Sequence, residues 1–243
     1  MDKTTVTYLG HSAWIVETPD LIYVFDYDKT PRENRLVDLD KLQAKPVYFF
    51  ASHTHGDHYS ARLNEAVSQR ANMKFITGGF KSRFSNSIAV YPRESIKVSD
   101  ISVTTAASTD IGVCYLVERP GLTVFHSGDL ANWPDNEDTP VDYFEEIDYI
   151  ASRAGAVDIA FIPVTTFDWY QDKCLLDGAV YAIKKLNPSF VFPMHGNGRE
   201  DLYRKFAKYA SDNGVTNSII CMESPGRSWV SPGSGVDSDN SLE

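Results

Sequence analysis

The sequence predicts an α+β fold in which two β-sheets pack together with helices outside. Three observations carry this expectation: short strand-type runs fill two separate blocks of the chain, amphipathic helical segments interleave with them in both halves, and no linker or internal repeat divides the whole. The first block opens with runs at 5–9, 13–17, 21–25 and 46–50, rich in Val, Ile, Tyr and Phe and punctuated by turn formers such as Thr18, Pro19 and Asp20. Between Tyr59 and Arg70 the apolar positions Leu63, Ala66 and Val67 recur at helical spacing, and 74–77 returns to an extended run. The second strand block comprises 96–98, 101–105, 113–117 and 122–125, bounded by Ser99-Asp100 and Pro120-Gly121.

Beyond a polar loop at 132–140, residues 143–154 read as a helix stopped by Gly155, and 157–162 is the near-continuous apolar run of a strand buried on both faces. The same order then recurs. Leu175, Leu176, Ala179, Val180, Ile183 and Leu186 form one helix face ending before Asn187-Pro188, and 190–192 is a short buried strand that leads into His195. Leu202, Tyr203, Phe206, Ala207 and Ala210 give a further amphipathic helix closed by Asn213-Gly214, followed by final strands at 218–222 and 228–230. Residues 1–230 are expected to form one domain, and 231–243, rich in Ser, Gly and Asp, a disordered acidic tail.

Composition narrows the function classes. With 243 residues, 42% of them hydrophobic, the chain can bury a sizeable core. A formal net charge of −10 argues against nucleic acid as partner, because such affinity is built on clustered Lys and Arg. No apolar run is long enough to span a bilayer, and the first residues lead directly into a strand pattern, so a soluble, cytoplasmic protein acting on a small molecule is expected. Oligomeric state is not legible at this level. Cys114, Cys174 and Cys221 are scattered, odd in number and set among apolar residues, which predicts buried free thiols.

The chemistry concentrates in one segment. Three of the six histidines fall in His53-Thr54-His55-Gly56-Asp57-His58, directly after the apolar strand at 47–50. Alternation lets His53 and His55 point the same way, and the turn at Gly56 carries Asp57 and His58 to a neighbouring point, so that one segment can serve two metals. Asp129 and His195 likewise sit where strands end, the place at which sites collect on layered folds.

These residues resemble the His-x-His-x-Asp-His signature of the metallo-β-lactamase superfamily, with Asp26, Asp129 and His195 matching its other motifs. The resemblance spans residues 4 to 230. It is nearest the branch of ascorbate-6-phosphate lactonase-like and N-acyl-phosphatidylethanolamine phospholipase D-like hydrolases, through the segments 9–13 and His126-Ser127-Gly128-Asp129. It implies a four-layer αββα sandwich and two metal sites. One would be held by His53, His55 and a third-motif histidine, the other by Asp57, His58 and His195, with Asp129 bridging and Asp26 supporting the metal loop.

The third-motif histidine is missing. Its slot lies in 106–112, Ala-Ala-Ser-Thr-Asp-Ile-Gly, where Ser108 is the first choice and a small shift of register would bring Thr109 or Asp110. A hydroxyl is a weaker ligand than imidazole, so the first site is expected to be weakened, with zinc the leading cofactor and manganese or iron as alternatives. The resemblance implies hydrolysis of a small ester, lactone or phosphodiester by metal-activated water, oriented by Asp57. A non-hydrolytic metal-binding or mononuclear redox protein of the same fold is the other reading. His11, His126 and Arg199 are candidates for supporting the ligands or touching substrate, and the loop 165–170 could wall the pocket with aromatic rings.

Overall fold

The computed structural model describes residues 3–29, 36–134 and 140–232. The acidic tail expected from 231 onward lies, from 233, outside the described residues. Fourteen strands and four α-helices are described. The first sheet contains β1 (Thr5–Gly10), β2 (Ala13–Glu17), β3 (Ile22–Phe25), β4 (Val47–Ala51), β5 (Met73–Gly78), β6 (Ser87–Val90) and β14 (Ser228–Val230), in the order β14-β1-β2-β3-β4-β5-β6. The second contains β7 (Ser95–Val98), β8 (Ile101–Ala107), β9 (Val113–Arg119), β10 (Leu122–His126), β11 (Ile159–Pro163), β12 (Phe190–Met194) and β13 (Ser218–Ile219), in the order β13-β12-β11-β10-β9-β8-β7. Each sheet is antiparallel at one side and parallel at the other: β3-β4-β5-β6 and β10-β11-β12-β13 run parallel.

Side-chain alternation builds the layers. On β4, Tyr48 and Phe50 enter the core between the sheets, while Val47, Phe49 and Ala51 face outward onto α1 (Ala61–Ser68) through Leu63 and Val67. On β9, Val113, Tyr115 and Val117 point into the same inter-sheet core, and Cys114 and Leu116 face the outer helices. Those helices, α2 (Tyr143–Arg153), α3 (Lys173–Leu186) and α4 (Asp201–Asp212), close the other side with Ile147, Ile150, Ile183 and Phe206. The resulting order is helix, sheet, sheet, helices, the four-layer αββα arrangement. Ser60, Asp142 and Asp172 cap the first turns of α1, α2 and α3, and Asn187 ends α3 in a left-handed conformation before Pro188.

Three details depart from the sequence expectations. Strand β6 was not anticipated: it is four residues long, half-buried, and borders the sheet, so it lacks the apolar run of a central strand. A short 3₁₀ turn at Lys41–Ala44 was likewise unforeseen. Of the three free thiols only Cys114 is buried; Cys174 and Cys221 are partly exposed.

Ser52, just past β4, joins the two sheets at one end. Its carbonyl accepts the Val113 amide at 3.0 Å, and the neighbouring Ala51 carbonyl accepts the Tyr115 hydroxyl at 2.7 Å. Two glycines make that approach possible. A Cβ on Gly112 would lie 2.1 Å from the Ser52 carbonyl oxygen, one on Gly128 would lie 2.6 Å from the Ser52 Cβ, and both residues have positive φ. Gly112→Ala is therefore expected to lower stability by about 1–3 kcal/mol, through a clash that no side-chain rotation relieves. The shift of the urea midpoint relative to the parent protein measures it, and a change below a few tenths of a kcal/mol would contradict this account.

Candidate metal centre

Parallel strands that all end on the same side bring the motif residues together. Asp26 follows β3, His53 to His58 follow β4, Asp129 follows β10 and His195 follows β12. The turn between β1 and β2 adds His11, and the turn between β8 and β9 adds Asp110. Hydrogen bonds across the sheets hold these ends in place: the His195 amide donates to the His11 carbonyl at 3.1 Å, and His126 Nε2 reaches the Ser12 carbonyl at 3.0 Å. His11, Asp26 and His195 all adopt left-handed backbone conformations, with φ of 52°, 44° and 72°. Such angles are unfavourable for residues with a Cβ and tend to collect at functional sites.

Asp26 organises the interior of the centre. Fully buried, its Oδ1 accepts the Ser52 amide at 2.7 Å, while Oδ2 accepts the Ser52 hydroxyl at 2.7 Å and His58 Nδ1–H at 2.8 Å. Burial opposes its ionisation, but the imidazoles of His58 and His126 together with these donors keep its carboxyl below the usual carboxylate range. Because the Ser52 hydroxyl donates to Asp26, it accepts from His53 Nδ1 at 2.9 Å. His53 therefore carries its proton on Nδ1 and turns Nε2 toward the common space, and His58 is turned the same way; burial opposes its charge, but the carboxylates of Asp129 and Asp26 hold it well above the usual histidine range. His195 is set in the same way, with Nδ1 donating to the Thr165 carbonyl at 3.0 Å. Burial pushes His53 and His195 down to about 4, so both are neutral at neutral pH.

Four donor atoms form the first group. His53 Nε2 lies 3.0 Å from His55 Nδ1, 3.6 Å from Asp110 Oδ2 and 3.7 Å from Asp129 Oδ2, and His55 Nδ1 lies 3.1 Å from Asp110 Oδ2. Donors about 2.0–2.2 Å from a shared cation in a tetrahedral shell are about 3.4 Å apart; these four separations bracket that value, and all four atoms lie within 4.8 Å of one another. Ser108 does not occupy this position, correcting the simplest register. Its buried hydroxyl accepts the Asp110 amide at 3.2 Å, and Thr109 turns the other way, donating to the Ala131 carbonyl at 2.7 Å and accepting the Ala131 amide at 3.0 Å. Those two anchors present Asp110 to the histidines.

The second group is His11, Asp57 and His58. His11 Nε2 lies 3.2 Å from Asp57 Oδ2, and His58 Nε2 lies 3.9 Å from that oxygen and 3.3 Å from Asp129 Oδ2. His195 joins through Asp129, its Nε2 being 3.8 Å from Oδ2. Asp129 thus stands between the two groups. Burial opposes its charge, yet the surrounding histidines, His58 and His195 foremost, hold it well below the normal range. Asp57 is pulled down chiefly by the adjacent His11 imidazole.

Several of these buried atoms have no hydrogen-bond partner: His11 Nε2, His58 Nε2, Asp110 Oδ2 and Asp129 Oδ1. Leaving a buried polar atom unsatisfied costs about 1–3 kcal/mol, so a cluster of converging orphans fits a site for a cation better than a packed interior. The donor set suits that reading, since every atom is imidazole nitrogen or carboxylate oxygen.

Two candidates are placed elsewhere. His126 is buried and stacked on Phe25 at 4.8 Å, with Nδ1 accepting the Gly128 amide at 3.1 Å, so it braces the turn that carries Asp129. Arg199 is exposed and bound to Asp201, and it donates to the Trp169 carbonyl at 3.0 Å. Ser52, which orients both His53 and Asp26, was not singled out from sequence; its place directly before the histidine run was the only available signal. Asp26→Ala should destabilise the metal-free protein by about 3–5 kcal/mol, because His58 loses its buried counter-charge and Ser52 its acceptor. Guanidinium unfolding in the presence of a chelator tests this, and a loss under 1 kcal/mol would show that the carboxylate does not organise the centre.

Comparison with known proteins bears on the family and the fold. Residues 5–195 match the model of the beta-lactamase superfamily domain. A metal-dependent hydrolase from Nanoarchaeum equitans is 26% identical over 239 residues, covering 88% of this chain and 95% of that protein. A metallo hydrolase from the archaeon Ignicoccus hospitalis superposes with a TM-score of 0.66 at 20% identity, over 95% of this chain and 99% of the other. A diiron beta-hydroxylase from Streptomyces venezuelae superposes with a TM-score of 0.62 at 15% identity, over 95% of this chain and 54% of the other. These two likenesses establish the fold alone.

Proposed function

The chain belongs to the beta-lactamase superfamily, and from that premise we propose that it is a metal-dependent hydrolase of a small ester, lactone or phosphodiester. The observation that carries this reading is the convergence of His53, His55, Asp110 and Asp129 beside His11, Asp57 and His58, with several donor atoms unpaired. His53, His55, Asp110 and Asp129 would hold one divalent cation, and Asp57, His58, His195 and Asp129 a second. When bound, such cations supply Lewis acidity and lower the pKa of water toward about 7.

The chain's own groups do the rest. Asp57, half-exposed and with His11 Nε2 3.2 Å from its Oδ2, is the carboxylate that orients the attacking water and takes its proton. His11, fixed by its left-handed turn and packed 4.4 Å from the His195 ring, is the donor closest to Asp57 and can pass a proton toward the leaving group. Asp26, through His58, and Thr165, through His195, keep the imidazole lone pairs aimed inward.

Asp110 sharpens the metal reading. A carboxylate in place of the third-motif imidazole makes the first group two histidines and two carboxylates, richer in oxygen than the usual site. It is charged where Ser108 would have been neutral, so the first site is altered in preference toward manganese or iron and not simply weakened. The same oxygen-rich set supports the second reading, an iron-loaded redox protein. Hydrolysis with zinc or manganese favours the first. Absence of turnover with any metal, together with tightly retained iron, would favour the second.

Three outcomes are expected. Asp110→Ala should lower the metal stoichiometry measured by elemental analysis from two toward one per chain, and Asp110→His should raise the preference for zinc over manganese by about tenfold or more in a competition titration. Unchanged stoichiometry and preference in both variants would remove Asp110 from the ligand set. Asp57→Asn should cut kcat about 10²–10⁴-fold while the first group keeps its metal. Activity within a factor of three of the parent enzyme would reassign the base.

A further inference from the structure

One face of the centre is built of aromatic rings, and nothing in the catalytic account uses them. The His195 ring has Trp133 at 5.3 Å, Phe167 at 5.3 Å and Trp169 at 5.7 Å, and the Phe167 and Trp133 rings pack at 4.5 Å with an interplanar angle of 31°. Yet Phe167 is 49% exposed and Tyr170 44%. Large apolar rings held half in water directly beside a polar centre mark a surface that a ligand covers.

The rings are fixed in place. Trp133 Nε1 donates to the Asp129 carbonyl at 3.0 Å, so the indole's polar edge is turned inward and satisfied. The loop 165–170 is closed by the Thr166 amide on the Tyr170 carbonyl at 2.8 Å and the Trp169 amide on the Thr166 carbonyl at 3.0 Å, with Trp169 at a φ of 60°. Arg199 clamps the Trp169 carbonyl from outside. A wall held this way loses little entropy when a ring is laid against it.

Charge narrows the class further. The carboxylates of the centre are offset by the cations it would hold, whereas Arg199, the cation attached to the aromatic loop, is already committed to Asp201. The loop therefore offers rings and no spare positive charge to whatever lies beyond the reacting atoms.

We propose that the site takes an uncharged ester or lactone carrying a planar aromatic ring, seated on the exposed face of Phe167, which the buried Trp133 backs, beside His195. This rests on the hydrolase reading, and the test separates the two. Binding is read on the metal-loaded protein by tryptophan fluorescence with two uncharged, non-hydrolysable ketones, 4-phenylbutan-2-one and heptan-2-one. Turnover is read with the matching esters, methyl 3-phenylpropanoate and methyl hexanoate. The phenyl ketone is expected to bind about three- to tenfold tighter, Phe167→Ala to abolish that preference, and Phe167→Tyr to retain it. The same preference should appear in KM for the esters. Equal affinity of the parent protein for both ketones, or a preference untouched by Phe167→Ala, overturns the aromatic subsite even if both esters are hydrolysed. A Phe167-dependent preference for the phenyl ketone without hydrolysis of either ester leaves the subsite standing and counts against the hydrolase reading.

Discussion

The buried carboxylate of Asp26 ties three chain segments into one object. It receives the Ser52 amide and hydroxyl from the end of β4 and the Nδ1 proton of His58 from the following turn, and lies 3.9 Å from His126 Nδ1 at the end of β10. Charge-assisted hydrogen bonds of this kind contribute about 1.5–3 kcal/mol each, while removing a carboxylate from water costs several. The net stabilisation is therefore modest, and its main effect is specificity of arrangement. With Asp26 ionised, the Ser52 hydroxyl has one direction in which to donate, His53 and His58 are each held in one orientation, and their Nε2 atoms converge on Asp129.

The backbone around that carboxylate carries the corresponding strain. His11, Asp26 and His195 occupy the left-handed region, and Gly112 and Gly128 permit contacts with Ser52 that a Cβ would forbid. Each departure places a donor where two parallel strand sets end against each other. Layer packing supplies the compensating free energy: on β4 and β9 alternate residues fill two cores at once, so the strand ends have little freedom to relax. A rigid base with strained ends is a sound support for ligands that must meet within a few tenths of an ångström.

Much of the fold was legible because alternation and helical spacing are local signals. The runs at 13–17 and 228–230 coincide with strands as read, and the helices end near their capping residues. β6 was missed for a physical reason: Ser87, Ile88 and Ala89 are only half-buried in a short strand bordering the sheet, and their pairing with β5 depends on a neighbour, not on their own pattern. The histidine run was legible for the opposite reason, since three imidazoles and a carboxylate within six residues carry their meaning in composition alone. His11 was legible only as a candidate, because a lone histidine in a turn acquires its partner, Asp57, only when β1 and β4 lie in one sheet.

The third-motif slot marks the boundary between the two kinds of information. From sequence alone came the run of imidazoles and carboxylates, the absence of a histidine from residues 106–112, and the expectation that Ser108, Thr109 or Asp110 stands in the slot that the family resemblance assigns to one. Which of the three faces the metal position was decided by tertiary structure, because side-chain direction in a turn follows its hydrogen bonds. The one that turns Thr109 away is made to Ala131, 22 residues along the chain and reached only when β10 pairs with β9 and its following turn folds over the loop.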